Sequence, residues 1–293
     1  MLGEVITAIV TPFRADGSVD VDRFRELANH LVDHGSDGIV VAGTTGESPT
    51  LSDDEKLELF AAAVDAVGSR ATVVAGTGTY DTAHSVHLTE RAHELGVDGF
   101  LVVTPYYNKP PQRGIVRHVR EIAAATDKPV VVYNIPARVI VDILPQTLAQ
   151  IADEVPNVTA VKQAHDDLAE ARFIAEETRL DLYSGDDNIT HAFLELGGVG
   201  VVSVTAHVWG ERIKEMIRRF KDGDREGARA VDEELAPSYD LLKVQVNPIP
   251  IKAALNLLGH EVGGHRLPLV DATDDELAQV RACLERAGVP ARV

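Results

Sequence analysis

At 293 residues with a formal net charge of −18, the chain is long enough for one large domain or two small ones, and it is strongly acidic. Long-range repulsion from phosphates argues against nucleic acid and anionic membrane surfaces as partners. No apolar run approaches the ~18 residues of a membrane span, and the opening segment MLGEVITAIVTPF has neither the basic start nor the small-residue cleavage pattern of a secretory signal. The single cysteine, Cys283, excludes an intrachain disulfide and a C-x-x-C motif; it reads as a packing residue, and the cytoplasm is the expected compartment.

From the N-terminus the chain repeats one unit: a short β-branched run, a loop, an amphipathic helix. Strands are predicted over residues 6–10, 38–41, 72–75, 99–103, 130–134, 158–162, 181–184 and 200–203. Helices are predicted over 20–34, 52–67, 81–95, 114–125, 145–152, 168–177 and 188–196. Runs such as GFLVV and VVVYN are apolar on both faces, the pattern of parallel strands covered by helices. Ser52 before DDEK and Asp81 before TAHS are helix-start signals. Eight such units without a break predict a closed (β/α)8 TIM barrel, with an open doubly wound sheet as the alternative. After Ser203 only helical patterns follow, over 209–221, 224–242, 250–258 and 274–287. The expected organisation is a barrel catalytic domain over residues 1–223 and a C-terminal helical extension over 224–293.

Barrels of this kind place chemistry at the C-terminal ends of their strands. The second strand ends in GTTGES (43–48), the fourth in TPYYNKP (104–110), the fifth in YNIPAR (133–138), the sixth in VK (161–162) and the seventh in SGDD (184–187). Lys162 therefore faces the barrel mouth. An amine ringed by apolar wall is poorly hydrated when charged, so its free form becomes available to attack a carbonyl carbon; the alternative is a strand-end lysine reaching out to solvent. Tyr133 ends the neighbouring strand, ~5 Å away, where a phenol can shuttle protons to and from a group held on Lys162. The GTTGES turn offers backbone amides and two hydroxyls to a carboxylate. It lacks the lysine of a phosphate-binding P-loop, and GTGTYDT (76–82) lacks the third glycine of a dinucleotide fingerprint. Arg138 supplies a fork of donors suited to an anionic second substrate. His84 and His87 share a helix face, and His260 and His265 flank a Gly-Gly turn. No metal site is expected from them, and His207 lies closer to the predicted mouth.

Taken in this order and spacing, GTTGES, TPYYNKP, YNIPAR, VK, SGDD and the later NPIPIKAAL (247–255) resemble the dihydrodipicolinate synthase / N-acetylneuraminate lyase family over essentially the whole chain. The resemblance implies a pyruvate-dependent class I aldolase on a (β/α)8 barrel, without metal or organic cofactor, usually a homotetramer built as a dimer of tight dimers. It implies Lys162 as the Schiff-base residue and Thr44, Tyr107 and Tyr133 as a proton relay, Tyr107 reaching in from a neighbouring subunit. Thr45 then resembles part of the pyruvate-carboxylate site, Arg138 the holder of the second substrate's carboxylate, and Gly185 and Val202 residues whose carbonyls face the substrates. GTTGES together with Arg138 resembles the branch whose second substrate is aspartate 4-semialdehyde; a sialic- or sugar-acid aldolase and a non-catalytic binding barrel are the alternatives. Val139–Ile140 and Gln163–Ala164–His165 depart from the family's usual residues beside the second-substrate pocket. Many members are inhibited by lysine through an asparagine, a glutamate and a tyrosine; Tyr80, His84 and Tyr106 stand at the matching positions here, so weak inhibition is expected unless Asp53 or Asp81 supplies the acid.

Overall fold

Strands β1 (Val5–Ala8), β2 (Gly38–Val41), β3 (Thr72–Gly76), β4 (Gly99–Val103), β5 (Val130–Asn134), β6 (Val158–Gln163), β7 (Asp181–Ser184) and β8 (Gly200–Ser203) pair in parallel and in chain order. The last pairs back onto the first, so the sheet closes into a barrel with no edge strand. The computed structural model describes residues 2–289. The outer ring comprises α1 (Val21–Asp33), α2 (Asp53–Val67), α3 (Thr82–Glu94), α4 (Gln112–Ala123), the single turn α5 (Pro136–Val139), α6 (Pro145–Glu154), α7 (Leu168–Glu177), α8 (Thr190–Glu195) and α9 (Ala206–Lys221). Beyond them come α10 (Arg225–Glu234), α11 (Ala236–Leu241), α12 (Ile249–Leu257) and α13 (Asp274–Arg286). Among the described residues no helix is long and apolar enough to cross a membrane.

The cap signals read from the sequence are real. The Ser52 hydroxyl accepts from the Glu55 amide while the Glu55 carboxylate accepts from the Ser52 amide, and the Asp81 carboxylate accepts from the His84 amide at 3.0 Å. Boundaries differ where local chemistry intervenes. The first strand starts at Val5, because the Asp37 carboxylate accepts the Glu4 and Val5 amides at 3.0 and 3.1 Å. The helix expected over 224–242 is two helices meeting at Leu235: Pro237, in the first turn of α11, has no N–H to carry α10 onward. The helix expected over 188–196 is a 3-10 turn, Asp187–Ile189, followed by α8.

Alternation along each strand makes two apolar layers. One set of side chains packs between sheet and helices. The other fills the lumen, with Ile6, Val40, Val74, Leu101, Val131, Ala160 and Val202 all buried. Tyr183 closes the lumen's base, donating to the Gly3 carbonyl at 2.8 Å and accepting from the Leu2 amide at 3.2 Å. The lumen is therefore a plugged shaft open only at the C-terminal end of its strands.

His207, which the sequence placed nearer the mouth than the other histidines, does not face it. It is fully buried, its Nδ1 donating to the Val204 carbonyl at 2.8 Å and its Nε2 accepting from the Val10 amide at 3.1 Å. The ring ties the segment after β1 to the segment after β8. A second proton would break the bond from Val10, and burial lowers its pKa to about 4; burial does the same to His118. The unfolded chain takes up these protons near the ordinary value of 6.5, whereas the folded chain does not until about 4. Stability from these two groups is therefore lost as pH falls through that window and levels off below it, by up to ~3 kcal/mol per ring. Denaturant unfolding between pH 7 and pH 4.5 should show this loss, and His118→Gln should flatten part of the slope.

Candidate active site

The register of β5 and β6 sets Tyr133 directly opposite Lys162. Both are buried and both point into the lumen, above Val131 and Ala160. Lys162 Nζ lies 4.1 Å from the centroid of the Tyr133 ring, close enough for the ring face to attract the ammonium form and for the phenol to serve a group bound at Nζ. Tyr133 is fixed from behind by Thr104, whose amide and hydroxyl both donate to the Tyr133 carbonyl at 2.9 Å.

Two adjoining cavities of about 300 and 230 Å³ open above this pair and share Thr44, Tyr133, Ile135 and Arg138 as a common wall. The larger holds Lys162, Thr45, Gly185, Asp186 and Asn247; the smaller runs toward Gly43, Ser48 and Tyr106. Thr44, Thr45, Tyr133, Arg138, Lys162 and Gly185 are thus brought together. Val202 is not part of either lining; its side chain packs in the lumen, and Val204 is the β8 contribution to the wall. Tyr107 stands apart, 92% exposed on a loop tip with φ +73°. Beside it Tyr80, also exposed, meets the Tyr106 ring edge to face at 5.3 Å.

Arg138 projects from α5, and its Nη2 donates to the Asn247 carbonyl at 3.2 Å. The Asn247 amide group donates to Thr45 Oγ1 at 2.9 Å. Its Oδ1 is buried without a hydrogen-bond partner, an acceptor left open at the cavity wall. Asp186 is reached by water through the cavity yet hemmed in by protein on most sides; this desolvation raises its carboxyl pKa, against the pull of Lys162. Asp187 is buried and satisfied by Ser203, by Thr205 Oγ1 at 2.8 Å and by the Val204 amide at 3.0 Å, which locks the top of β7 to that of β8.

The sequence reading assigned no role to Asn247, Asp186, Asp187, Glu47 or Lys252, although each lies in a quoted motif. His165 entered it only within the Gln163–Ala164–His165 departure, without a role of its own. Two residues beyond β6, His165 Nδ1 lies 3.1 Å from Glu170 Oε2, and with Asp142 these donors lie within 4.8 Å of one another. Asn134 bridges Asp142 and Gln163 at 2.7 and 3.1 Å. Burial, then the Asp142 charge, raise the Glu170 pKa. The unusual Gln163–Ala164–His165 segment is thus part of a hydrogen-bonded brace on the outer side of the strand that carries Lys162.

With this geometry in view, the chain's relationships are plain. A family model, the dihydrodipicolinate synthetase family, matches residues 1–287. The chain belongs to that family. It is 49% identical to the 4-hydroxy-tetrahydrodipicolinate synthase of Moorella thermoacetica, over 98% of this chain and 99% of that protein. Its fold matches the crystal structure of dihydrodipicolinate synthase from Cyanidioschyzon merolae with lysine bound, at a TM-score of 0.97 and 44% identity, covering 98% and 99% of the two chains. It also matches the chloride-inhibited dihydrodipicolinate synthase of Acinetobacter baumannii complexed with pyruvate, at a TM-score of 0.95 and 35% identity, covering 99% and 100%.

Gly185 admits a direct test of the wall. A Cβ there would stand 2.6 Å from Ala164 Cβ and 2.8 Å from its backbone, so β6 and β7 could not close beside Lys162. Gly185→Ala should destabilise the fold by ~1–3 kcal/mol, as overpacking does, and reduce turnover by more than that loss of folded protein explains. Thermal unfolding and specific activity of the folded fraction measure the two effects.

Proposed function

We propose that the chain condenses pyruvate with L-aspartate 4-semialdehyde to 4-hydroxy-tetrahydrodipicolinate, the committed chemistry of diaminopimelate and lysine biosynthesis, as a Schiff-base lyase. The observation that carries this reading is the buried amine of Lys162 at the floor of a cavity, 4.1 Å from the Tyr133 ring, with Arg138 on the rim. The family relationship narrows the substrates to those of its curated relatives.

Lys162 attacks the ketone of pyruvate and, with loss of water, forms an imine. The protonated imine is an electron sink: a methyl proton leaves and an enamine forms, so the carbanion chemistry needs no metal or organic cofactor. The enamine carbon adds to the aldehyde of the second substrate. That substrate's amine then attacks the imine carbon, closes the ring and releases Lys162 as the free amine. Tyr133 carries the protons at each stage, with Thr44 beside it on the shared wall. Thr45 and the turn amides hold the pyruvate carboxylate. Arg138 takes the semialdehyde carboxylate; Asp186 and the open Oδ1 of Asn247, on the same wall, suit its ammonium group. Gly185 contributes its backbone to the same mouth, whereas Val202, which lines neither cavity, is left without the role the resemblance implied.

The assembly we propose is a homotetramer made as a dimer of tight dimers, in which Tyr107 crosses into the neighbouring site to complete the relay. Its support is the almost complete exposure of an aromatic side chain held at an unfavourable φ beside two further tyrosines.

Borohydride reduction with pyruvate present should add a lactyl-type mass to the peptide containing Lys162, and to no other lysine; absence of that adduct sinks the mechanism. Lys162→Ala should lose several orders of magnitude in turnover, because the covalent route disappears. Tyr133→Phe should lower kcat by ~10²–10⁴. Arg138→Ala should raise the semialdehyde KM far more than the pyruvate KM; equal rises refute its assignment.

Lysine inhibition should be weak. Asp53, one acid available to bind an added ammonium, already holds His84 Nε2 at 2.8 Å, and Asp81 is committed as the cap of α3. Tyr80 meets Tyr106 edge to face beside them, a bulk that the smaller asparagine would not bring. Titrating initial rates with lysine near pH 8 checks this, sub-millimolar inhibition being the contrary result.

A further inference from the structure

Among the described residues three lysines are buried, Lys56, Lys162 and Lys252, and Lys252 is the deepest of them; it lies far from Lys162 in sequence, in the C-terminal extension. Its side chain has no exposure, and neither has that of Glu47. Lys252 Nζ donates to Glu47 Oε1 at 2.9 Å, to the Thr11 carbonyl at 3.0 Å and to the Gly264 carbonyl. Three acceptors use all three protons of an ammonium; a neutral amine would turn its lone pair toward an oxygen. Burial lowers the Lys252 pKa, and Glu47 opposes that shift. The remaining Glu47 oxygen accepts from the Arg266 amide at 3.2 Å. The pair is complete, and it reaches no cavity wall, so it does not touch substrate.

Glu47 is also the fifth residue of the GTTGES turn, held at φ +56°, a conformation that residues with a Cβ rarely adopt. On its other flank the Thr11 hydroxyl donates to the Gly46 carbonyl at 2.7 Å. The same extension grips the turn a second time where Asn247 donates to Thr45 Oγ1. Thr44 and Thr45, the two residues that present hydroxyls to the cavity, therefore sit between anchors at Gly46, Glu47 and Asn247.

We infer that Lys252, acting through Glu47, is a positioning residue that fixes the Thr44–Thr45 turn in the shape that binds the carboxylate of the 2-oxo acid. The inference rests on the reading of that turn as the pyruvate-carboxylate site. A left-handed residue without its buried counter-charge relaxes toward ordinary backbone angles, and the hydroxyls and amides of the turn move with it. Lys162 and Tyr133 are held by β5 and β6 and keep their places. Loss of the pair therefore weakens capture of pyruvate more than it slows the later chemistry, in which only Thr44 of the turn takes part beside Tyr133.

The test is Lys252→Met, which keeps the length and apolar bulk of the stem. Half-saturation by pyruvate is measured in borohydride trapping, beside KM for both substrates and kcat. A displacement of the turn of this kind should raise the pyruvate half-saturation and KM by about tenfold or more, with the semialdehyde KM within about threefold of the parent and kcat lowered by a smaller factor than the pyruvate half-saturation rises. A purely structural role would lower the unfolding temperature and leave the pyruvate half-saturation unmoved, and that result overturns the inference. If Lys252→Met does not fold, Glu47→Gln keeps the shape of the side chain and removes only its charge. It should raise the pyruvate half-saturation by about three- to tenfold, and an unchanged value is again contrary. In the double variant the pyruvate effect should not exceed that of Lys252→Met alone, since the pair acts as one unit. The unaltered protein is the control that separates the two ideas: if it gives no adduct at Lys162, the underlying reading fails; if it is labelled and the variants saturate as it does, only the role of Lys252 fails.

Discussion

The two-residue period of a closed parallel sheet is the constraint on which everything at the mouth depends. Once eight strands close, each strand has an inward set and an outward set of side chains, and no slip of one residue is possible without exchanging them. Lys162 and Tyr133 belong to the inward set with Ala160 and Val131. Asn134 and Gln163, one residue further along their strands, belong to the outward set and pair with each other behind the wall. The same pairing that sets the two reactive groups face to face thus also braces them from outside.

An apolar shaft solves one problem and poses another. Plugged at its base by Tyr183 and lined with aliphatic side chains, it keeps the reactive amine out of bulk water. It has no polar groups of its own with which to orient a substrate. Those come from loops and from the C-terminal segment: the turn after β2, α5 after β5, the acidic pair after β7 and Asn247 before α12. The barrel supplies the floor, and residues remote in sequence supply the walls. Cutting the chain after residue 223 would remove both the Lys252 ammonium and the Arg266 amide that satisfy the Glu47 carboxylate.

What the sequence disclosed follows this division. The strands, the closure, and the strand-end positions of Lys162 and Tyr133 depend on local periodicity, and they were legible from it. Helix breaks at Leu235 and after Asn188 were not, because Pro237 and the 3-10 turn act on only a few residues. The Glu47–Lys252 and Thr45–Asn247 bonds span more than two hundred positions. The motifs GTTGES and NPIPIKAAL could both be recognised without any sign that they touch. The role of His207 stayed open for a related reason: a place after the last strand gives nearness to the mouth but does not say whether the ring points into the lumen or behind it.

The charge balance shows why so few groups at the mouth carry the recognition. A net charge of −18 repels pyruvate and an acidic amino aldehyde at long range. Screening limits that repulsion to roughly 8 Å at physiological ionic strength, so the outcome is decided inside the cavity. There Asp187 is tied into hydroxyl and amide donors. The second carboxylate, Asp186, faces Lys162 and Arg138, whose charges oppose its own. Against them stand Lys162, Arg138 and Lys243, together with the donors of the Thr44–Thr45 turn. In the proposed reaction two of these features address different ends: the turn and Lys162 would grip a 2-oxo acid at the floor, with Arg138 at the rim. On that reading depth sets the order of binding, since a first substrate bonded to Lys162 would lie beneath a second one held at Arg138.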